Sequence, residues 1–310
     1  MTQAVSPRYH ISDPAWIKTP SGDPRGYIQP SELKELWFHT GTVCNLSCSF
    51  CLEGSKPGDN RIQPITFEEA KRYIDEALSL GVEKFSFTGG EPFVIPDMVQ
   101  ILDYALDHRP CLVLTNATEP LRNRLKEILA FKEKPNPLNF RVSIDSHIAD
   151  EHDEFRGKGN FKLSLNVLSY LNKAGFGVSV ARISKPEEDT EVVNAAYAEI
   201  FDEAGLPKDT HLVVFPDFHN PNASPDVPHI TENCMTTYTT EETRNAMMCG
   251  FSKMIVKKNG RAGVYACTLV DDDDDYDLGD SLKESLDFRI MLKHHRCFSC
   301  FANGASCSER

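Results

Sequence analysis

Several features are missing from this 310-residue sequence, and each absence narrows what it can be. It has no uninterrupted apolar run of roughly 18 residues, the length a membrane-spanning helix needs. The opening MTQAVSPRYHISDPAW has neither the basic start nor the apolar core of a secretory signal. The expected compartment is therefore the cytoplasm, where thiols stay reduced. Positive charge is in deficit: 33 Lys and Arg stand against 46 Asp and Glu, a formal net charge of -13. Such a surface repels a phosphate backbone, so neither nucleic acid nor membrane is an expected partner, whereas a cationic small molecule is permitted. No internal repeat is visible beyond an alternation of strand and helix patterns. The length suits one large domain, or a domain with a small appendage.

Cysteine is what the chain has in quantity: ten residues, unevenly placed. In a reduced chain of this size, clustered cysteines bind metal or do chemistry. The stretch CNLSCSFC puts Cys44, Cys48 and Cys51 on one short loop. Structural zinc takes four ligands, commonly in CxxC pairs. A cubane iron–sulfur cluster also takes four cysteines, so three local thiolates would leave one iron open to a non-protein ligand. A second set lies near the C-terminus. Cys249 and Cys267 flank a predicted hairpin turning at Asn259-Gly260, and Cys297 and Cys300 form a CxxC in a loop after a predicted helix. Spacing alone leaves zinc and iron–sulfur both open for this set. Cys307 is left over. Cys111 sits in a predicted strand and reads as buried filler. Cys234 falls in an irregular stretch.

From residue 36 to 215, β-rich runs alternate with amphipathic ones. Predicted strands cover 36–42, 83–90, 111–115, 139–145, 178–183 and 211–215. Predicted helices cover 66–81, 96–108, 119–131, 161–175 and 190–204, the first with a Thr66/Glu69 capping box and Gly81 beyond its end. This is an α/β pattern with a parallel sheet, although periodicity cannot separate a barrel from a doubly wound sheet. Either fold binds ligands at the C-terminal strand ends. The unusual residues fall there: Cys44, then Gly89-Gly90-Glu91, then Asn116, then Ser143 and Asp145. Residues 1–35 read as an irregular extension and 216–248 as a linker or substrate-facing loop. Residues 249–310 read as a small module in need of a metal staple, with a helix over 282–293 capped by Ser281 and Glu284. The run Asp271 to Asp275 reads as a solvated loop.

CxxxCxxC after a first strand, with Phe50 before its last cysteine, together with FTGGEP (87–92) after a second, resembles the radical S-adenosylmethionine (radical SAM) superfamily. The resemblance covers 36–215 and implies a partial (β/α)6 barrel. It implies a [4Fe–4S] cluster on Cys44, Cys48 and Cys51 whose open iron is chelated by S-adenosylmethionine. It also implies a 5′-deoxyadenosyl radical that abstracts hydrogen from a substrate, and an external one-electron reductant such as flavodoxin or ferredoxin. Phe50, Thr88, Gly89, Gly90, Glu91, Asn116, Ser143, Asp145 and Arg156 are the implied cofactor-binding residues. The two glycines would let backbone approach the cofactor. Glu91 would steady its ammonium, directly or through adjacent backbone. Arg156 would pair with its carboxylate, and Asn116, Ser143 and Asp145 would take ribose hydroxyls or the carboxylate. Ordinary strand-end caps and a surface salt bridge remain the plain alternatives for these last four.

CGFSKMIVKKNGRAGVYAC, LGDSLKES and CFSC resemble the twitch module, a shortened SPASM domain holding an auxiliary [4Fe–4S] cluster, here on Cys249, Cys267, Cys297 and Cys300. The expected reaction is oxidation (dehydrogenation) of a substrate. The alternative is epimerisation, with the thiol of Cys234 or Cys307 returning the hydrogen. An alternative of another class is a non-catalytic iron–sulfur or zinc-stapled protein. Only 35 residues precede the barrel pattern, whereas peptide-modifying members often carry a leader-binding domain there. The expected substrate is therefore small and polar, such as a cationic sugar, cyclitol or aminoglycoside.

Overall fold

The computed structural model describes residues 13–185, 187–216, 218, 223 and 225–304. In chain order, α1 (Pro14–Ile17), β1 (Tyr27–Ile28) and β2 (Glu35–His39) come first. Then follow α2 (Phe67–Ser79), β3 (Lys84–Thr88), α3 (Met98–Leu106), β4 (Cys111–Thr115), α4 (Glu119–Leu129) and β5 (Leu138–Ser143). Next are α5 (Ala149–Arg156), α6 (Asn160–Lys173), β6 (Gly177–Ile183), α7 (Thr190–Glu203) and β7 (Leu212–Phe215). Last are α8 (Glu232–Thr237), α9 (Glu241–Asn245), α10 (Met248–Phe251), β8 (Ser252–Lys258), β9 (Arg261–Tyr265), α11 (Leu282–Ser285), β10 (Ile290–Met291) and α12 (His295–Asn303). Two compact units result. One combines the chain up to Trp37, Arg72–Glu83, and the chain after Asn220; the other combines Phe38–Lys71 with Lys84–Asn220. Among the described residues, no helix is long and apolar enough to cross a membrane.

The second unit is built on a sheet whose strands follow chain order, β2-β3-β4-β5-β6-β7. Every pair from β3 to β7 is parallel. A doubly wound sheet reverses its order at a switch point; the run from β2 to β7 keeps one order throughout, as the expected fold requires. One face is apolar: Phe85, Phe87, Val113, Phe140, Val142 and Val180 are fully buried. Helix α3 packs on β4 and α6 on β6. The opposite face carries Ser86, Arg141, Ser143 and Ser179, with Arg141 beside Ser179 and Ser143 beside Ala181 in register. Ser86, Arg141 and Ser179 are nearly inaccessible. A parallel sheet covered on both faces normally reads as continuous Val, Ile and Leu. Buried polar residues on one face mark that face as the one built for something other than packing.

Local signals explain several boundaries. The Thr66/Glu69 capping box forms: Thr66 N–H donates to the Glu69 carboxylate at 2.9 Å, and Glu69 N–H donates to the Thr66 hydroxyl at 3.4 Å. Gly81 takes φ +86° past the end of α2. Asn259 and Gly260 have φ +52° and +76°, which makes the β8–β9 turn.

Other expectations fail for identifiable reasons. Residues 13–34 carry only the short elements α1 and β1, and buried Arg25 pins this segment by donating to the carbonyls of Trp16 (3.0 Å) and Lys18 (2.7 Å). The stretch 216–248 contains α8 and α9, each N-capped by a threonine, Thr231 and Thr240. The helix predicted over 282–293 ends at Ser285 although Ser281 caps it. Ile290, Met291 and Leu292 are all buried, which one stripe of a surface helix cannot achieve; Ile290 and Met291 instead pair with β1. The acidic run is solvated only in part, at Asp274 and Asp275. Asp271 is buried, Asp272 meets His294 at 3.2 Å, Lys258 bonds Asp274 at 3.0 Å, and Lys293 pairs with Asp275.

Phe140 lies fully buried between Phe93 and Phe176, ring centroids 6.4 and 5.6 Å away. Phe140→Ala should cost about 3–5 kcal/mol, from lost burial plus the cavity left behind. A urea-midpoint shift of that size checks it; an unchanged midpoint contradicts the packing.

Candidate active site

The three clustered thiols hang from the end of β2. The backbone turns at Gly41, φ +114°, where a Cβ would come within 3.1 Å of Pro64 N. A bridge between Val43 and Lys56 closes the loop at its base. Within it, Cys51 N–H donates to Cys48 O (3.2 Å) and Gly54 N–H to Cys51 O (3.0 Å), two successive turns that bring the thiols to one side. Cys44 is buried, and Cys48 and Cys51 are half-buried. Burial pushes the Cys44 thiol up to about 12, with Glu91 and the other two thiols adding to the shift. Burial also raises Cys48; Arg156 pulls it back down and Cys51 pushes it up. Three soft donors on one short loop suit a group that takes thiolates and displaces their protons.

Gly89, Gly90 and Glu91 fasten this loop to the neighbouring strands. A Cβ on Gly89 (φ +145°) would stand 2.6 Å from Thr40 Oγ1, and one on Gly90 would stand 2.2 Å from Val43 O. Gly90 N–H donates to Gly41 O (2.7 Å) and Glu91 N–H to Val43 O (3.1 Å). The close approach that the glycines permit is thus to the root of the cysteine loop itself. Thr88 closes the same contact from the end of β3: its carbonyl accepts from Thr40 N–H at 2.8 Å and from Thr40 Oγ1 at 2.9 Å.

The Glu91 carboxylate is 1% exposed. It accepts from Thr115 Oγ1 (2.9 and 3.0 Å), Asn116 N–H (2.8 Å) and Phe93 N–H (3.1 Å). Burial raises its pKa to about 7 against the pull of these donors. Its oxygens are occupied by the chain, which favours the indirect of the two expected roles, acting through adjacent backbone.

Asn116 is likewise committed inward. Its Nδ2 donates to Asn45 Oδ1 (3.1 Å), and its Oδ1 accepts from Thr118 N–H (3.0 Å) and Thr118 Oγ1 (2.6 Å). Asn45 Nδ2 returns to Thr118 Oγ1 at 2.9 Å, and Ser164 Oγ donates to the Asn116 carbonyl at 2.8 Å. Asn116 Nδ2 stands 3.9 Å from Cys44 Sγ. Asn45, Thr115, Thr118 and Ser164 were not among the expected site residues. The T-N-A-T run after β4 and the Asn beside Cys44 were the available signals.

Asp145 and Arg156 do come together. Arg156, at the end of α5, donates through Nε to Asp145. Its guanidinium lies 5.6 Å from the Phe50 ring centroid, and Phe155 meets Phe50 edge-on at 5.4 Å. Burial opposes the Arg156 charge, yet Asp145, Cys48 and Cys51 raise its pKa above the ordinary value. The expected surface-salt-bridge alternative is therefore incomplete: the pair is largely buried and faces the thiols. Ser143 ends β5, half-buried, two residues before Asp145.

In the other unit four further thiols converge. Cys249 of α10, Cys267 after β9, and Cys297 and Cys300 of α12 line one cavity, otherwise walled mainly by apolar side chains such as Met248, Leu269 and Val270. The CxxC expected in a loop lies on a helix, where i, i+3 spacing puts both thiols on one side. His294 caps that helix, its Nδ1 accepting from Arg296 N–H at 3.2 Å. Burial pushes Cys297 up to about 12 and also raises Cys249 and Cys267. Lys253, fully buried, donates to Cys249 O (3.1 Å) and Ser252 O (2.9 Å); burial pulls it down to about 8. Four thiols from three elements in an apolar recess suit a thiolate-held iron–sulfur cluster or zinc. Cys111 is fully buried in β4, as expected of filler. Cys234 is not in an irregular loop but in α8, with Sγ 3.2 Å from Thr231 Oγ1. Cys307 lies outside the described residues.

Glu91→Gln should destabilise the protein by about 1–3 kcal/mol, because an amide cannot accept from every donor that the carboxylate satisfies. Equilibrium unfolding of the variant checks this; a wild-type midpoint would show the network to be dispensable.

The radical SAM superfamily profile matches residues 38–195. The chain is 34% identical over 140 residues to the antilisterial bacteriocin subtilosin biosynthesis protein AlbA of Bacillus subtilis (strain 168), covering 44% of this chain and 30% of that protein. It is 36% identical over 135 residues to the AdoMet-dependent heme synthase of Methanosarcina barkeri, covering 43% and 37%. The matched segment is thus about a third of the length of these relatives. In fold, the chain resembles SuiB of Streptococcus suis bound to S-adenosylmethionine: TM-score 0.57, 15% identity, 77% of this chain and 61% of that one. It also resembles anSMEcpe with bound AdoMet: TM-score 0.56, 15% identity, 84% and 81%. The profile spans half of the sequence and includes both the cysteine loop and the Gly89-Gly90-Glu91 turn, so the chain belongs to the radical SAM superfamily.

Proposed function

We propose that this enzyme oxidises its substrate by hydrogen abstraction, with Cys44, Cys48 and Cys51 holding the cluster that binds S-adenosylmethionine and Cys249, Cys267, Cys297 and Cys300 holding an auxiliary [4Fe–4S] cluster. When bound, the first cluster and S-adenosylmethionine supply a 5′-deoxyadenosyl radical able to take hydrogen from an unactivated carbon. The chain's own part is positional. Glu91 and Asn116 tie the ends of β3 and β4 to the cysteine loop and fix the thiols. Arg156 places a buried positive charge against Cys48 and Cys51, which favours the thiolate form of Cys48. Its Nε is taken by Asp145, and its terminal nitrogens make no hydrogen bond among the described residues, so they are the groups available to a cofactor carboxylate. Ser143 and Thr88, at the polar ends of β5 and β3, are the remaining contacts offered to the cofactor.

The observation that carries the oxidative reading is the convergence of four thiols on one cavity apart from the first three. Removing a hydrogen atom and then a second electron needs an electron acceptor, and an iron–sulfur cluster is one. Epimerisation needs instead a thiol to return hydrogen, and Cys234 is held by Thr231 in α8. For the substrate, a peptide is the better-supported class: AlbA is named for bacteriocin biosynthesis, and SuiB has been solved with a precursor peptide. The heme synthase relative favours a second reading, a small non-peptide molecule, which is the class the sequence suggested.

Three measurements test this. Anaerobically purified protein should hold about eight irons per chain, falling to about four in the Cys44/Cys48/Cys51→Ala triple variant and to about four when the other four cysteines are replaced. Reduced protein with S-adenosylmethionine should form 5′-deoxyadenosine, and the triple variant should not. Product from reactions in deuterium oxide should carry no solvent deuterium at the attacked carbon; deuterium there would overturn oxidation in favour of epimerisation.

A further inference from the structure

Lys253 is not accounted for by the fold or by the assigned ligands. It lies on β8 and is fully buried. Two of its three ammonium protons go to the carbonyls of Cys249 (3.1 Å) and Ser252 (2.9 Å). The third has no acceptor among the described residues. A buried ammonium ordinarily requires a counter-ion. The ionisable groups that act on Lys253 are the thiols of Cys249 and Cys267, which become negative only when a metal centre displaces their protons. Both thiols line the cavity shared with Cys297 and Cys300.

We propose that Lys253 is a built-in counter-charge that raises the reduction potential of the cluster held by Cys249, Cys267, Cys297 and Cys300. The inference rests on the proposed reading of those cysteines as cluster ligands. Four thiolates give an oxidised [4Fe–4S] centre a net charge of about -2, and one electron takes it to about -3. A fixed cation in a dry surrounding stabilises the more negative state more, because the Coulomb energy scales with the charge and is little screened. The centre thereby accepts an electron more readily, as an auxiliary centre in a substrate oxidation must. Lys253 touches a ligand's carbonyl rather than the reacting atoms, so it is a positioning residue acting by charge.

The test is a redox titration of the second cluster, followed by electron paramagnetic resonance in the full chain carrying the Cys44/Cys48/Cys51→Ala changes. Lys253→Met removes the charge and keeps the length; Lys253→Gln removes the charge and keeps N–H donors; Lys253→Arg keeps the charge. At the wild-type midpoint potential, the reduced-to-oxidised ratio should fall at least about tenfold in the Met and Gln variants, equivalent to 59 mV for one electron, and stay within about threefold in the Arg variant. Unchanged ratios in Met and Gln variants with full iron would overturn the inference. If both neutral variants lose the cluster's iron while Arg retains it, the charge serves cluster retention rather than potential and the inference falls. If all three lose it, Lys253 acts through its hydrogen bonds and the inference falls. A parent protein without the second cluster would instead refute the proposed function, a different outcome seen before any Lys253 variant is made.

Discussion

The buried carboxylate of Glu91 is the constraint on which the site depends. It has lost its water and is satisfied by hydrogen bonds from three neighbours: Thr115, Asn116 and Phe93. Two of these close the end of β4, and the third starts the short helical turn that begins at Pro92. The backbone N–H groups of Gly90 and Glu91 reach across to Gly41 and Val43 at the root of the cysteine loop. One residue thus joins three successive strand ends. The burial that makes an unsatisfied carboxylate costly is what makes the satisfied one hold its neighbours in place.

From that anchor the chemistry follows outward. Cys44 is held near Asn116 and Asn45. Cys48 and Cys51 face the Arg156–Asp145 pair, with Phe50 beneath the guanidinium. Burial makes Cys44 and Cys48 poor acids, so the loop favours a partner that pays for thiolate formation through metal–sulfur bonds. In the other unit the same logic is repeated with different parts: two thiols from a helix, two from either side of a hairpin, and a buried lysine beside them.

Much of this was legible in the residues, for physical reasons that differ from place to place. The β/α alternation was readable because amphipathic helices and short apolar strands have distinct periods, and the Thr66/Glu69 and Gly81 signals act within one turn. The three-thiol loop was readable because metal-ligand spacing is local. Strand order was not, since pairing partners lie far apart in sequence. The inward commitment of Glu91 and Asn116 was also hidden, because each is fixed by groups dozens of residues away. Apolar residues 290–292 read as helix, and only the distant partner Tyr27–Ile28 makes a strand of two of them. The acidic run read as solvated because His294, Lys258 and Lys293, which meet it, are elsewhere in the chain.

The central claim is that three thiols hold a four-iron cluster with one iron left for S-adenosylmethionine. Mössbauer spectroscopy of iron-57-loaded protein, with Cys249, Cys267, Cys297 and Cys300 replaced so that only the first cluster remains, tests it directly. Adding S-adenosylmethionine should shift the signal of one iron in four and leave the other three alone. A spectrum unchanged by S-adenosylmethionine, or one of a single mononuclear metal site, would contradict it.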